Sequence, residues 1–139
     1  MIRVLLFFLL ALPAFAAPAI QSVEIRVNPP RGGFAFCRYD QHGKMHGGHV
    51  SPPPAVVVHE ADGQAEEAVA REIWKLAEDL VKRKVVKGPI KESPSGKTYL
   101  TIKVQDQELL VSWPFKGQHA DAGVRKLADL LHKHHVGGW

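Results

Sequence analysis

The 139-residue sequence contains a single cysteine, Cys37, so no disulfide can form within the chain. A domain of this size must then be stabilised by its apolar core alone. The sequence also lacks the short motifs of common enzymes, namely HExxH, GxSxG and a glycine-rich phosphate loop. Cys37 lies between Phe36 and Arg38 in a predicted strand, a setting typical of a small buried side chain rather than a nucleophile. We therefore expect no enzymatic activity.

The sequence has little excess of charge. Eighteen Lys and Arg residues stand against 14 Asp and Glu residues, which gives a formal net charge of +4. Surfaces that bind nucleic acid typically combine a dense basic stripe with interleaved aromatic side chains, and no such stripe occurs here. We therefore expect no nucleic-acid partner.

The first residues have the pattern of an export signal. Arg3 precedes an apolar run over residues 4–12, and a small-x-small cleavage site follows at residues 14–16. This predicts a signal peptide over residues 1–16 and one domain over residues 17–139. The protein would be periplasmic or secreted, without a stable membrane anchor after cleavage. The alternative is a retained anchor over residues 4–20, although that run is near the lower length limit for a span and contains two prolines.

The strongest periodic signal covers residues 64–84. Val69, Ile73, Leu76 and Leu80 recur at spacings of four, three and four, which predicts an amphipathic helix. We expect Asp62 to act as its N-cap and the Gly-Pro pair at residues 88–89 to end it.

Alternating apolar residues predict strands on both sides of this helix. The predicted strands cover residues 22–27, 34–39, 99–104 and 108–113, with another strand at 48–51 or 55–59. A last helix is predicted from Ala122 to about His134, capped by Asp121. Together these elements predict an α+β fold, in which an antiparallel sheet of about four to five strands from two hairpins carries two helices packed on one face.

The layout of elements, together with Gly32, Gly33, Phe34 and Ala35 at the start of the second strand, resembles emfourin. Emfourins are small bacterial proteins that inhibit thermolysin-like metallopeptidases, so the resemblance implies a peptidase as the partner. The export signal and the histidine-rich segment depart from that family, and no inhibitory residue is carried over.

The histidine-rich segment, residues 42–49, suggests a different chemistry. His42, Met45, His46 and His49 lie within eight residues. Imidazole suits Zn, Cu and Ni ions, and a thioether adds affinity for Cu(I). Because Gly43, Gly47 and Gly48 disfavour a helix, we expect a loop that is either a transition-metal site or plain polar surface.

Taken together, these features predict an exported, non-enzymatic binding module that inhibits or captures an extracytoplasmic peptidase or another protein. The expected contacts are the turn at residues 28–33, the segment at residues 40–54 and the terminal aromatic; the partner-binding residues would be Arg31, Gly32, Gly33 and Trp139. Trp139 either packs back onto the domain or enters a partner pocket. The alternatives are a periplasmic metal-binding protein using His42, Met45, His46 and His49, and a structural accessory domain.

Protein recovered after export should begin at Ala17, because Ala16 is a small residue at the end of the apolar run and cleavage one residue later would place Pro18 beside the cut. Intact-mass spectrometry of the exported protein tests this. A mass that still includes residues 1–16 would contradict the predicted processing.

Overall fold

The strands and helices follow one another in the order ββββαββα. The computed structural model describes residues 19–54, 56–88 and 95–139, so the predicted signal peptide lies outside the described residues. The elements are β1 (Ile20–Asn28), β2 (Phe34–Asp40), β3 (Lys44–Val50), β4 (Val58–Gln64), α1 (Glu67–Lys82), β5 (Lys97–Val104), β6 (Gln107–Pro114) and α2 (Ala122–His134).

The predicted α+β class is confirmed, but the strand count and the two-hairpin layout are wrong. The sheet has six strands in the described part of the chain, in the order β4-β3-β2-β1-β5-β6, and every neighbouring pair is antiparallel. A four-strand meander therefore precedes α1, and a hairpin separates α1 from α2. The segment from Lys44 to Val50, expected as a loop apart from a possible strand at 48–51, is strand β3 at the second position of the sheet. The two strands considered as alternatives, at 48–51 and 55–59, overlap only the end of β3 and the start of β4.

One face of the sheet carries the core. Val23 and Ile25 of β1 and Leu100 and Ile102 of β5 are fully buried. Both helices pack on this face against β1 and against each other. Cys37 on β2 is also fully buried, and burial raises the pKa of its thiol, which confirms the expected buried side chain.

Helix α1 is shorter than predicted, and its predicted cap is wrong. It begins after Glu66, which makes no side-chain capping bond, whereas Asp62 belongs to β4. At the other end Lys84 adopts a left-handed conformation, with φ of 57°. The amides of Val85 and Lys84 donate to the carbonyls of Leu80 and Val81, both at 3.1 Å, which is the Schellman arrangement. The helix thus ends before the Gly-Pro pair expected to stop it.

Helix α2 is capped as predicted. The Asp121 side chain accepts hydrogen bonds from the amides of Gly123 and Val124. The Arg83 guanidinium, just after α1, donates to both carboxylate oxygens of Asp121 at 2.7 and 3.1 Å. These bonds from Arg83, followed by the capping amides, lower the pKa of Asp121. One carboxylate therefore joins the end of one helix to the start of the other.

The Asp121 carboxylate should make the free energy of unfolding depend on pH in the acidic range. A lowered pKa in the folded state means that its contribution is complete above the unfolded value, near 3.8, and is lost as pH falls further. Asp121→Asn keeps the capping oxygen and removes the charge, whereas Asp121→Ala also removes the cap, at a cost of about 0.5–2 kcal/mol. In urea unfolding, the deficit of Asp121→Asn relative to wild type should shrink between pH 5 and pH 2. A deficit that is constant with pH would contradict the charge contribution.

Candidate functional site: a sheet edge beside the histidine strand

The register of β3 distributes the histidine-rich segment over both faces of the sheet. His46 pairs with exposed Arg38, and Met45 pairs with buried Tyr39. Side chains alternate along a strand, so Met45 and His49 face the helices whereas His46 faces the other side. His42 is exposed in the turn before β3.

The four predicted metal ligands therefore do not converge on one point. In residues 19–54, 56–88 and 95–139, no group of three or more His, Cys, Asp or Glu side chains is placed to hold a metal ion. The prediction depended on a loop that could gather His42, Met45, His46 and His49. A strand cannot do this, because its side-chain period of two separates neighbouring residues.

His49 instead binds the end of the chain. Its Nδ1 lies 2.7 Å from the Gly137 carbonyl oxygen, and its ring lies 5.4 Å from that of His59 on β4. The indole of Trp139 donates to the Phe36 carbonyl at 3.2 Å. The Trp139 carbonyl accepts from the His135 ring, which also lies 4.1 Å from the indole ring. Of the two positions considered for Trp139, the structure shows the one packed back onto the domain.

Two glycines make room for this tail segment, residues 136–139. A Cβ on Gly47 would lie 2.2 Å from the Val136 carbonyl oxygen, and a Cβ on Gly63 would lie 2.8 Å from the Val136 side chain. Both are closer than a real Cβ contact allows, so any side chain there would displace the tail segment. Gly47, which made the segment look like a loop in the sequence, is instead needed for close approach.

The predicted turn contacts lie at one end of the sheet. Arg31 is exposed, and Gly33 has φ of +72°, a conformation that favours glycine. Gly32 lies beside Pro52 and Pro53. The turn at residues 28–33 thus meets the end of the 40–54 segment, while Trp139 is held against the backbone of β2 and is not part of the turn.

The two outer strands of the sheet differ in how they are covered. On β6, Lys87 exchanges two backbone hydrogen bonds with Leu110, at 3.0 and 2.8 Å. On β4, no strand in the described residues pairs with the outer edge. Val56 and Val57 just before β4, and Val58 as its first residue, expose 58%, 57% and 62% of their surface, although they are large apolar residues. Sequence analysis missed this edge because β4 has only weak alternation.

The hydrogen-bond pattern identifies the unpaired groups of β4. Ala65 donates to the Gly43 carbonyl at 2.8 Å, and Ser51 donates to the Val57 carbonyl at 2.9 Å. In an antiparallel pair, bonded and non-bonded residue pairs alternate. The register then places the odd-numbered residues of β4 toward β3. The backbone N–H and C=O groups of Val58, Glu60 and Asp62 therefore point outward.

The same three residues place their side chains on the open face, meaning the face of β2–β4 opposite the helices. Asp62 lies 2.7 Å from His46 Nδ1, and Glu60 lies 3.9 Å from His46 Nε2. The Glu60 and Asp62 side chains are 60% and 84% exposed. Within the described part of the chain, neither carboxylate has a Lys or Arg ion-pair partner, whereas Arg38 on β2 pairs with Glu24.

The chain matches no protein-family model, and no curated protein matches its sequence. None of the helices in the described residues is long and apolar enough to cross a membrane.

The tail segment should depend on Gly47. Gly47→Ala should lower the free energy of unfolding by about 1–3 kcal/mol, because the new methyl group overlaps the Val136 carbonyl. The same substitution should cost less in a chain that ends at His135, since its closest contact is then missing. Urea unfolding of the four proteins measures this coupling. Equal costs in the long and short chains would contradict the docked position of the tail.

Proposed function

We propose that this protein is an exported, non-enzymatic binding module that captures an extracytoplasmic protein through the outer edge of β4. The observation that supports this is the unpaired strand edge at Val58, Glu60 and Asp62, which follows a run of exposed valines. An extended segment of a partner can hydrogen-bond to such an edge and continue the sheet.

A peptidase is the partner class that we propose within this function. The support is the resemblance to metallopeptidase inhibitors carried by Gly32, Gly33, Phe34 and Ala35. The edge adds a physical route, because the partner and the inhibitor would share a backbone ladder that requires no catalytic group on this chain. The exposed turn with Arg31 lies beside the proline segment that leads toward β4 and is a second contact in this proposal.

The experiment compares two substitutions at one position, with thermolysin hydrolysing a fluorogenic peptide as the probe. Glu60→Pro removes an outward-facing N–H and leaves the bonds to β3 in place, since proline is tolerated on an edge strand. Glu60→Thr removes the same charge but keeps the N–H. Wild type should inhibit, and Glu60→Pro should inhibit at least tenfold less well than Glu60→Thr.

Urea unfolding of both variants establishes that they remain folded. Equal inhibition by the two variants would contradict binding through the edge, and absence of inhibition by the wild-type protein would contradict the peptidase as partner.

A further inference from the structure

The rows of side chains that cross β2, β3 and β4 on the open face have distinct characters. One row is apolar and consists of Phe34, Val50 and Val58. Two residues further along β4, the second row consists of Phe36, Gly48 and Glu60. The third row consists of Arg38, His46 and Asp62. The free edge thus presents one apolar position followed by two acidic positions.

The acidic positions stand out against the charge of the whole protein. Residues 56–70 contain four carboxylates, Glu60, Asp62, Glu66 and Glu67, and no Lys or Arg, while the chain as a whole has a formal charge of +4. The neighbouring strand β3 places one imidazole, that of His46, between Glu60 and Asp62. A strand placed beside β4 therefore meets two carboxylates that have no Lys or Arg ion-pair partner in the described residues, although Arg38 lies two strands away in the row of Asp62.

The charge pattern disfavours a second copy of this chain as the occupant in the registers that bring the acidic positions of the two copies together. If two β4 strands paired antiparallel about a twofold axis near Ala61, Glu60 of one copy would face Asp62 of the other. An axis at Glu60 would place two glutamates directly opposite each other. Like charges at directly opposed positions of a sheet are destabilising, whereas opposite charges are stabilising.

From these rows we infer that the edge binds an extended segment of the pattern basic-x-basic-x-apolar, read from N- to C-terminus, which adds to β4 in the antiparallel sense. The two basic side chains would lie opposite Asp62 and Glu60, and the apolar one opposite Val58. The antiparallel sense follows from the slightly greater stability of antiparallel pairs, and it continues the alternation of the existing sheet. This inference rests on the proposed function and specifies the chemistry of its partner.

A set of short labelled peptides tests this by fluorescence anisotropy with the full chain. The probe is acetyl-Thr-Lys-Thr-Lys-Thr-Val-Thr-amide, and a second peptide replaces both lysines by glutamate. A third has the reverse order, and a fourth carries N-methyl groups on alternate amides so that it cannot form a ladder. The probe should bind at least tenfold more tightly than the glutamate peptide, and more weakly as salt is raised. The reversed and N-methylated peptides should also bind more weakly than the probe.

A matched protein variant separates charge from the backbone ladder. The double substitution Glu60→Gln and Asp62→Asn should bring the lysine and glutamate peptides to within about threefold of each other, because the ladder is unchanged and only the charge is lost. Glu60→Pro should weaken the probe on either background.

The outcomes distinguish the inference from the proposed function. Equal binding of lysine and glutamate peptides to wild type, still lost in Glu60→Pro, would overturn the charge pattern and leave edge binding standing. Binding of no peptide would overturn both. If the reversed peptide bound as tightly as the probe, the antiparallel orientation would be overturned. A dimer in sedimentation that Glu60→Pro abolishes would assign the edge to a second copy instead.

Discussion

The sheet is wider than the pair of helices that covers it, and this difference in width constrains the rest of the structure. Six strands spaced about 4.8 Å apart form a sheet about 25 Å wide, whereas two helices of about 10 Å diameter cover about 20 Å. Both helices lie over β1, which is fourth in the strand order counted from β4. The helix side of β3 and β4 therefore needs another cover, and residues 136–139 provide it. No helix of the described residues covers the other side of these strands.

This arrangement explains why the histidine strand contains glycine. A strand that is covered by a helix packs large side chains, but one that is covered by a chain segment must let two backbones approach closely. Gly47 provides that approach, and His49 then donates to the Gly137 carbonyl, which would otherwise be left without a partner beside the strand. Gly47 and His49 are here structural residues. The same composition is compatible with a metal-binding loop, which is why such a loop was an alternative interpretation of the sequence.

Prediction from sequence succeeded for the strands and helices that bury one face in the core and leave the other face exposed. β1, β2, β5 and α2 alternate or repeat clearly because their inner residues are covered by helices, and the alternation of Ala35, Cys37 and Tyr39 against Phe34 and Phe36 is reproduced. It failed for β3 and β4, whose inner positions, apart from Met45, carry glycine, histidine and alanine instead of large apolar residues. The misplaced cap follows from this failure, because Asp62 resembles an N-cap only when β4 is not recognised. The packing of residues 136–139 against β3 and β4 is a long-range contact and is not visible in local sequence patterns.

The free edge of β4 poses the problem that every exposed strand poses, namely uncontrolled pairing. Charged side chains on an edge are a common protection, and Glu60 and Asp62 fit that role. Protection by charge is selective, however, because a carboxylate repels another carboxylate and attracts a cation. The exposed valines beside these carboxylates weaken the protection at one end of the strand. Under the proposed function, such an edge would bind a partner of opposite charge. The same pair of acidic residues would then both oppose pairing with a second copy in registers that bring the carboxylates together and select a basic partner segment.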